Sequence, residues 1–123
     1  MYAAQQLEAY NTVQKTTTSG RAIEAMALSR SAHRLTEIKN NWDSPDREGK
    51  LDAALRNNLR IWSIFQGELM QADNPLPKKL KQDILSLSAF IDKRTFEVMA
   101  EPAPEKLNII ISLNLNLAAG LRA

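Results

Sequence analysis

Cysteine is absent from this sequence and histidine occurs once, at His33. The lack of cysteine excludes disulfides, thiol catalysis and cysteine-ligated zinc, and one histidine excludes a multi-histidine metal site. The chain also lacks a glycine-rich phosphate loop, a nucleophile elbow and any His/Asp/Glu set with metal-ligand spacing. We therefore expect no catalytic residue, no cofactor and no metal, and we expect His33, which projects away from its helix's apolar stripe, to lie on the surface.

Charge of one sign and long apolar runs are also scarce. Sixteen basic and fourteen acidic residues leave a net charge of +2. No run reaches the roughly 20 mainly apolar residues that span a bilayer, and the start MYAAQQLEAYNT has neither the basic nor the apolar region of a secretion signal. We expect a cytoplasmic protein without membrane insertion. The densest basic cluster, PKKLK (residues 77–81), indicates either a solvated face or, less commonly, a phosphate-contacting patch.

Glycine and proline are sparse, four and five residues, and they fall at breaks between apolar-periodic segments. TTTSG (16–20), ADNPLP (72–77) and AEPAPE (100–105) divide the chain. Ser44 and Pro45 form a helix-start signal, and Gly120 is placed to end the last helix. The sequence predicts an all-α single domain over residues 1–123, a small bundle of about four helices with a short extra N-terminal segment. The predicted bounds are 19–41, 45–72, 77–99 and 104–119, and the pattern also allows a short helix near 3–15.

Helical projection at about 100° per residue separates core from surface. The third helix carries two apolar stripes on roughly opposite sides, so it is either sandwiched within its own bundle or exposes its second stripe to a partner helix. In the second helix Asn58 lies deep in the apolar face. The residues we assign to the core or to helix register are Leu55, Asn58, Leu59, Trp62, Ile84, Leu87, Ile91 and Asn114.

The segment NIIISLNLNLAAGL (108–121) fits two structures. Its alternation from Ile111 to Leu117 is typical of a half-buried strand, but a solitary strand would leave its backbone groups without ladder partners. Wound as a helix it has a wide apolar arc, so we predict a helix, with Asn114 inside that arc. A buried asparagine must be hydrogen-bonded or costs about 1–3 kcal/mol. Asn58 and Asn114 are therefore either satisfied locally, fixing register, or one of them meets a partner's backbone.

The run LDAALRNNLRIWSIFQGELMQADNPLPKKLKQDILSLSAFI (51–91) resembles the FlaF family of flagellin-biosynthesis regulators. The ending LNLNLAAGL fits the family's closing pattern, and MYAA with Tyr10 fits its start. Two positions depart from it: Phe90 stands near an expected Trp, and Leu115 replaces a more usual polar residue. The resemblance rests on these residues: Ala54, Leu55, Asn58, Leu59, Trp62, Leu69, Asn74, Pro75, Leu76, Pro77, Leu80, Asn114, Asn116, Leu117, Ala118, Gly120 and Leu121.

The resemblance implies a small, cytoplasmic, non-enzymatic protein of flagellated alphaproteobacteria. It implies that members promote flagellin synthesis and secretion as flagellin-binding chaperones and act with FlbT, a companion regulator of flagellin messenger RNA. Two alternatives are an RNA-binding regulator acting through Lys78, Lys79 and Lys81, and an adaptor that binds only FlbT; the weak net charge makes nucleic acid the less favoured partner. The partner surface we predict comprises Leu85, Phe96, Met99, Leu113, Leu115 and Leu117.

Overall fold

The structure, a computed structural model, describes the backbone of residues 2–123 and the side chains from residue 20 onward. Over this range the chain forms four α-helices and one short 3-10 helix, without a strand. The all-α prediction is therefore confirmed, and the C-terminal segment is a helix. The elements are α1 (Tyr2–Asn40), α2 (Arg47–Leu69), α3 (Lys78–Ala100), the 3-10 helix (Pro104–Leu107) and α4 (Asn108–Arg122).

Two predicted glycine breaks are wrong. The helix α1 continues through the TTTSG stretch, so there is no separate N-terminal segment, and Gly120 lies inside α4. A glycine ends a helix when it takes a left-handed conformation that other residues avoid. No described glycine has a positive φ, and the helices continue past both positions.

The predicted Ser44 cap of α2 is also wrong. The Ser44 hydroxyl donates to the Asp46 carboxylate at 2.5 Å, and α2 begins only at Arg47. The same carboxylate pairs with the Lys50 ammonium at 2.9 Å. The residue at the cap position of α2 is Asp46, and its side chain makes no capping hydrogen bond. Proline does mark a start at Pro104, the first residue of the 3-10 helix.

The core lies where α1, α2 and α4 meet. The helix α4 packs chiefly against α1, α2 packs against α1, and α3 packs against α2 with lighter contacts to α4. Trp62 is fully buried at the centre. Of the residues predicted for core or register, Leu59 and Leu87 are half-buried, while the remaining six are buried: Leu55, Asn58, Trp62, Ile84, Ile91 and Asn114.

The helix α3 buries one face and exposes part of another. Its buried face includes two small polar residues: Thr95 donates to the Ile91 carbonyl at 2.6 Å, and Ser88 is hydrogen-bonded to Gln66 of α2. On the second apolar stripe Ala89 is exposed and Phe96 is 60% exposed. The other two residues of this stripe, Leu85 and Met99, are half-buried, so the described side chains cover the stripe only in part. Whether side chains of residues 1–19 cover this stripe lies outside the described residues.

Candidate functional site

A fully buried polar network joins three helices at the centre of the bundle. Asn114 of α4 donates to the Asn58 side-chain oxygen of α2 at 2.7 Å and to the Leu28 carbonyl of α1 at 3.3 Å. The Trp62 indole N–H donates to the Asn114 side-chain oxygen at 2.9 Å. Ser31 of α1 donates to the Asn58 oxygen at 2.8 Å. Each of the three helices thus contributes a polar group to this network. The hydrogen bonds form only when the three helices are aligned as they are here.

The indole fixes the direction of the whole network. An indole N–H can only donate, so the amide of Asn114 must turn its oxygen toward Trp62 and its NH₂ toward Asn58. Asn58 then presents its oxygen, and its own NH₂ has no hydrogen-bond partner among the described residues. Both asparagines have no exposed surface. They meet each other rather than a partner's backbone, as expected of residues that set helix register.

The six residues predicted to bind a partner do not share one face. Phe96 and Leu115 are exposed at 60% and 47%, whereas Leu85 is half-buried. Leu113 and Leu115 are two residues apart on one helix, which places them roughly 200° apart around its axis. They therefore border the buried arc of α4 on opposite sides. The three half-buried members that pack against the core are Met99, Leu113 and Leu117.

The structure shows a groove that the sequence did not indicate. It lies where the ends of several elements meet and has a volume of about 400 Å³. Its floor and walls are mainly apolar. Contributions come from α1, the end of α2, the connection that follows it, the start of α3 and the end of α4. The lining residues are Gly20, Arg21, Glu24, Phe65, Glu68, Leu69, Asn74, Pro75, Leu76, Leu80, Ile84, Leu117, Gly120 and Leu121.

Two carboxyl groups face each other in this groove. Burial, a hydrogen bond to Glu68 and the negative charge of Glu68 raise the pKa of Glu24 from 4.5 to about 8, and the nearby Arg21 opposes the shift. Burial is the largest cause, because a carboxylate removed from water loses hydration. A pKa of about 8 keeps Glu24 mostly protonated at neutral pH, so that it can donate a hydrogen bond to the Glu68 side chain. Of the predicted partner residues, only Leu117 lines this groove.

The asparagine-proline connection between α2 and α3 holds one wall of the groove in place. The Asn74 side-chain NH₂ donates to the Glu68 carbonyl at 3.1 Å, and its oxygen accepts from the Leu76 backbone N–H at 3.1 Å. These bonds tie the connection back to the last turn of α2. Leu76 and Leu80 line the groove together with Gly20, Arg21 and Glu24 of α1.

The basic cluster at the start of α3 is largely solvated. Lys78 and Lys79 are exposed, and the Lys79 ammonium lies 3.3 Å from the Asp83 carboxylate one turn later. His33 is exposed, as predicted, and lies 3.2 Å from Glu37. Among the side chains that the structure describes, no three His, Asp or Glu residues are grouped to hold a metal ion. None of the described helices combines the length and apolar character needed to cross a membrane.

Comparison with known proteins gives one result. The family model described as flagellar protein FlaF matches residues 6–121, nearly the whole chain. No curated protein and no solved structure matches significantly. The matched range includes the asparagine network, the groove and the connection between α2 and α3. The chain therefore belongs to the FlaF family of flagellar proteins.

Proposed function

We propose that this chain regulates flagellar biosynthesis without catalysing a reaction, as a cytoplasmic chaperone that binds flagellin and promotes its synthesis and secretion together with an FlbT-type regulator. Family membership supports the flagellar role. The observation that carries the chaperone role is the apolar groove between the helix ends. Flagellin is the proposed partner because the FlaF resemblance implies it, and because unassembled flagellin has apolar, helix-prone ends that a groove on a helical bundle can cover.

A groove of this kind suits an amphipathic helix. Such helices bind by placing residues at i, i+3, i+4 and i+7 into an apolar channel between helices of the partner. Here Phe65, Leu69 and Ile84 are already buried at the groove floor, whereas Leu80 at its rim is 43% exposed. Binding would therefore cover apolar surface now in contact with water, at about 25 cal/mol for each Å² removed from it.

The exposed apolar side chains outside the groove support a larger contact area. Phe96 on α3 and Leu115 on α4 are both exposed. Isolated exposed apolar residues are common in proteins, so they carry less weight than the groove. Both belong to the partner surface predicted from the sequence, and both lie outside the groove lining.

Size-exclusion chromatography and calorimetry with purified flagellin monomer test this function. We expect a defined complex, weakened when the flagellin ends are removed. A matched experiment uses the FlbT-type regulator alone. Binding to that protein and not to flagellin would make the chain an adaptor. Salt-sensitive binding to flagellin leader RNA, lost on changing Lys78, Lys79 and Lys81 to Glu, would instead support RNA regulation.

A further inference from the structure

The groove is apolar except at one side, where its charge is concentrated. Its charged lining residues are Arg21, Glu24 and Glu68, from α1 and α2. The connection after α2 contributes the uncharged Asn74, and the lining residues from α3 and α4 are aliphatic or glycine. With both carboxyls ionised, the described lining carries two negative charges against one positive charge. An occupant complementary to this site brings one positive charge and is otherwise apolar.

The two carboxyls and one guanidinium that line the groove leave it short of positive charge, and the raised pKa of Glu24 agrees with this. Arg21 lies near enough to lower the pKa of Glu24, yet burial and Glu68 outweigh it and hold that pKa at about 8. Two carboxyls in contact cannot both ionise cheaply, so Glu24 keeps its proton beside Glu68. A cationic side chain inserted between them would replace this proton and form charge-assisted hydrogen bonds to both oxygens.

We propose that the groove binds an amphipathic helix of the partner that carries one Lys or Arg among its apolar contact residues, and that this cation lies between the carboxylates of Glu24 and Glu68. The inference rests on the proposed function, because it places this helix in flagellin. It assigns the apolar contacts of the helix to Phe65, Leu69 and Leu80. The basic side chain would then determine specificity, because an apolar helix without it lacks the contact to the two carboxylates.

Calorimetry with flagellin monomer and a set of groove variants tests the inference. Glu24→Lys should weaken binding by on the order of a hundredfold, because it replaces an attraction by a repulsion. At a pH above the raised pKa of Glu24, where that carboxyl is ionised, Arg21→Ala should tighten binding severalfold, since Arg21 competes with the incoming cation; a variant that merely damaged the fold would not do this. The matched control is Glu105→Lys, an exposed position outside the groove lining, which should leave affinity unchanged.

The pH dependence gives a second, independent readout. The bound cation requires Glu24 to be ionised, so binding releases the Glu24 proton. With a pKa of about 8 in the free protein, affinity should rise on the order of fivefold from about pH 7 to about pH 8. Glu24→Gln cannot release a proton, so its affinity should change little over the same interval. Circular dichroism of each variant checks that the helices are intact.

A charge exchange identifies the cation. Each Lys and Arg in the terminal helices of flagellin is changed to Glu, one at a time. One of these flagellin variants should bind the wild-type protein more weakly and should restore binding to the Glu24→Lys protein. Flagellin binding that is insensitive to Glu24→Lys, Arg21→Ala and pH would overturn the inference and leave the chaperone function standing. No complex with flagellin under any condition would overturn both.

Discussion

Replacing Asn114 by Ala should destabilise the protein more than its small size change suggests. The substitution removes the hydrogen bonds from Trp62 at 2.9 Å, to Asn58 at 2.7 Å and to Leu28 at 3.3 Å. It leaves the indole N–H unpaired in a site with no exposed surface, which costs about 1–3 kcal/mol. The two amide bonds lost from Asn114 and the cavity left behind raise the expected loss to about 3 kcal/mol.

This loss in free energy of unfolding is measurable by urea unfolding followed by circular dichroism and tryptophan fluorescence. In a thermal melt, the same substitution should lower the midpoint temperature by on the order of 10 °C. The matched control is Asn116→Ala, the same substitution at an exposed position of α4, which should stay within about 0.5 kcal/mol of wild type. Equal effects of the two substitutions would refute the reasoning, since they would show that the buried network adds nothing.

A double-mutant cycle isolates the central contact of the network. Trp62→Phe removes the indole N–H while keeping an aromatic ring, and it destabilises on its own by leaving the Asn114 oxygen without that donor. Combined with Asn114→Ala, the loss should be smaller than the sum by about 1–2 kcal/mol, because both changes break the same bond. Additive losses would contradict a direct coupling between these two side chains.

Three further predictions concern other parts of the molecule. Glu24 keeps its proton up to about pH 8 when folded but releases it near pH 4.5 when unfolded, so stability should fall as pH rises between these values. Glu24→Gln should remove this slope and gain about 1 kcal/mol above pH 8 in urea unfolding, an amount reduced for partial solvent exposure; an unchanged slope would contradict the raised pKa. Phe96→Asp and Leu115→Asp should leave the melting temperature within a few degrees of wild type, because both side chains are exposed, and should weaken flagellin binding in pull-down; unfolding would instead mean that they are core. Ile91→Ala should cost about 2–5 kcal/mol by leaving a cavity, and a loss below about 1 kcal/mol in urea unfolding would mean that the site collapses to fill it.

The helices were predictable because their apolar residues recur with the helical period. The same projection singled out Asn58 and Asn114 as polar residues inside apolar faces, and both are fully buried. It could not show that they bond to each other, because the relative position of two helices is absent from the pattern of either one. Trp62 was placed in the core, but its role as the donor that orients Asn114 depends on that same geometry.

Helix boundaries were less predictable because local signals compete with other contacts. Serine is a common capping residue, yet α2 begins only at Arg47, with Asp46 and not Ser44 at the cap position. Glycine often ends a helix, but the helix continues through both Gly20 and Gly120. A glycine in a helix interior costs only roughly 1 kcal/mol, so its presence does not by itself end a helix.

The groove was missed because no segment of the sequence contains it. Its walls come from residues that lie far apart along the chain, and only the fold brings them together. Glu24 and Glu68 look like ordinary surface charges when each is considered on its own helix. A search for pairs of carboxylates could not have chosen this pair without knowing that α1 and α2 are neighbours.

Calorimetric titration of flagellin monomer into wild-type protein and Glu24→Lys, side by side at about pH 8, tests the account most directly. The wild-type protein should form a saturable complex, because its groove supplies both apolar surface and the paired carboxylates. The Glu24→Lys protein, with its helices intact by circular dichroism, should show little or no binding. Identical titrations would contradict the assignment of the groove as the binding site, and the absence of binding by the wild-type protein would contradict the chaperone function itself.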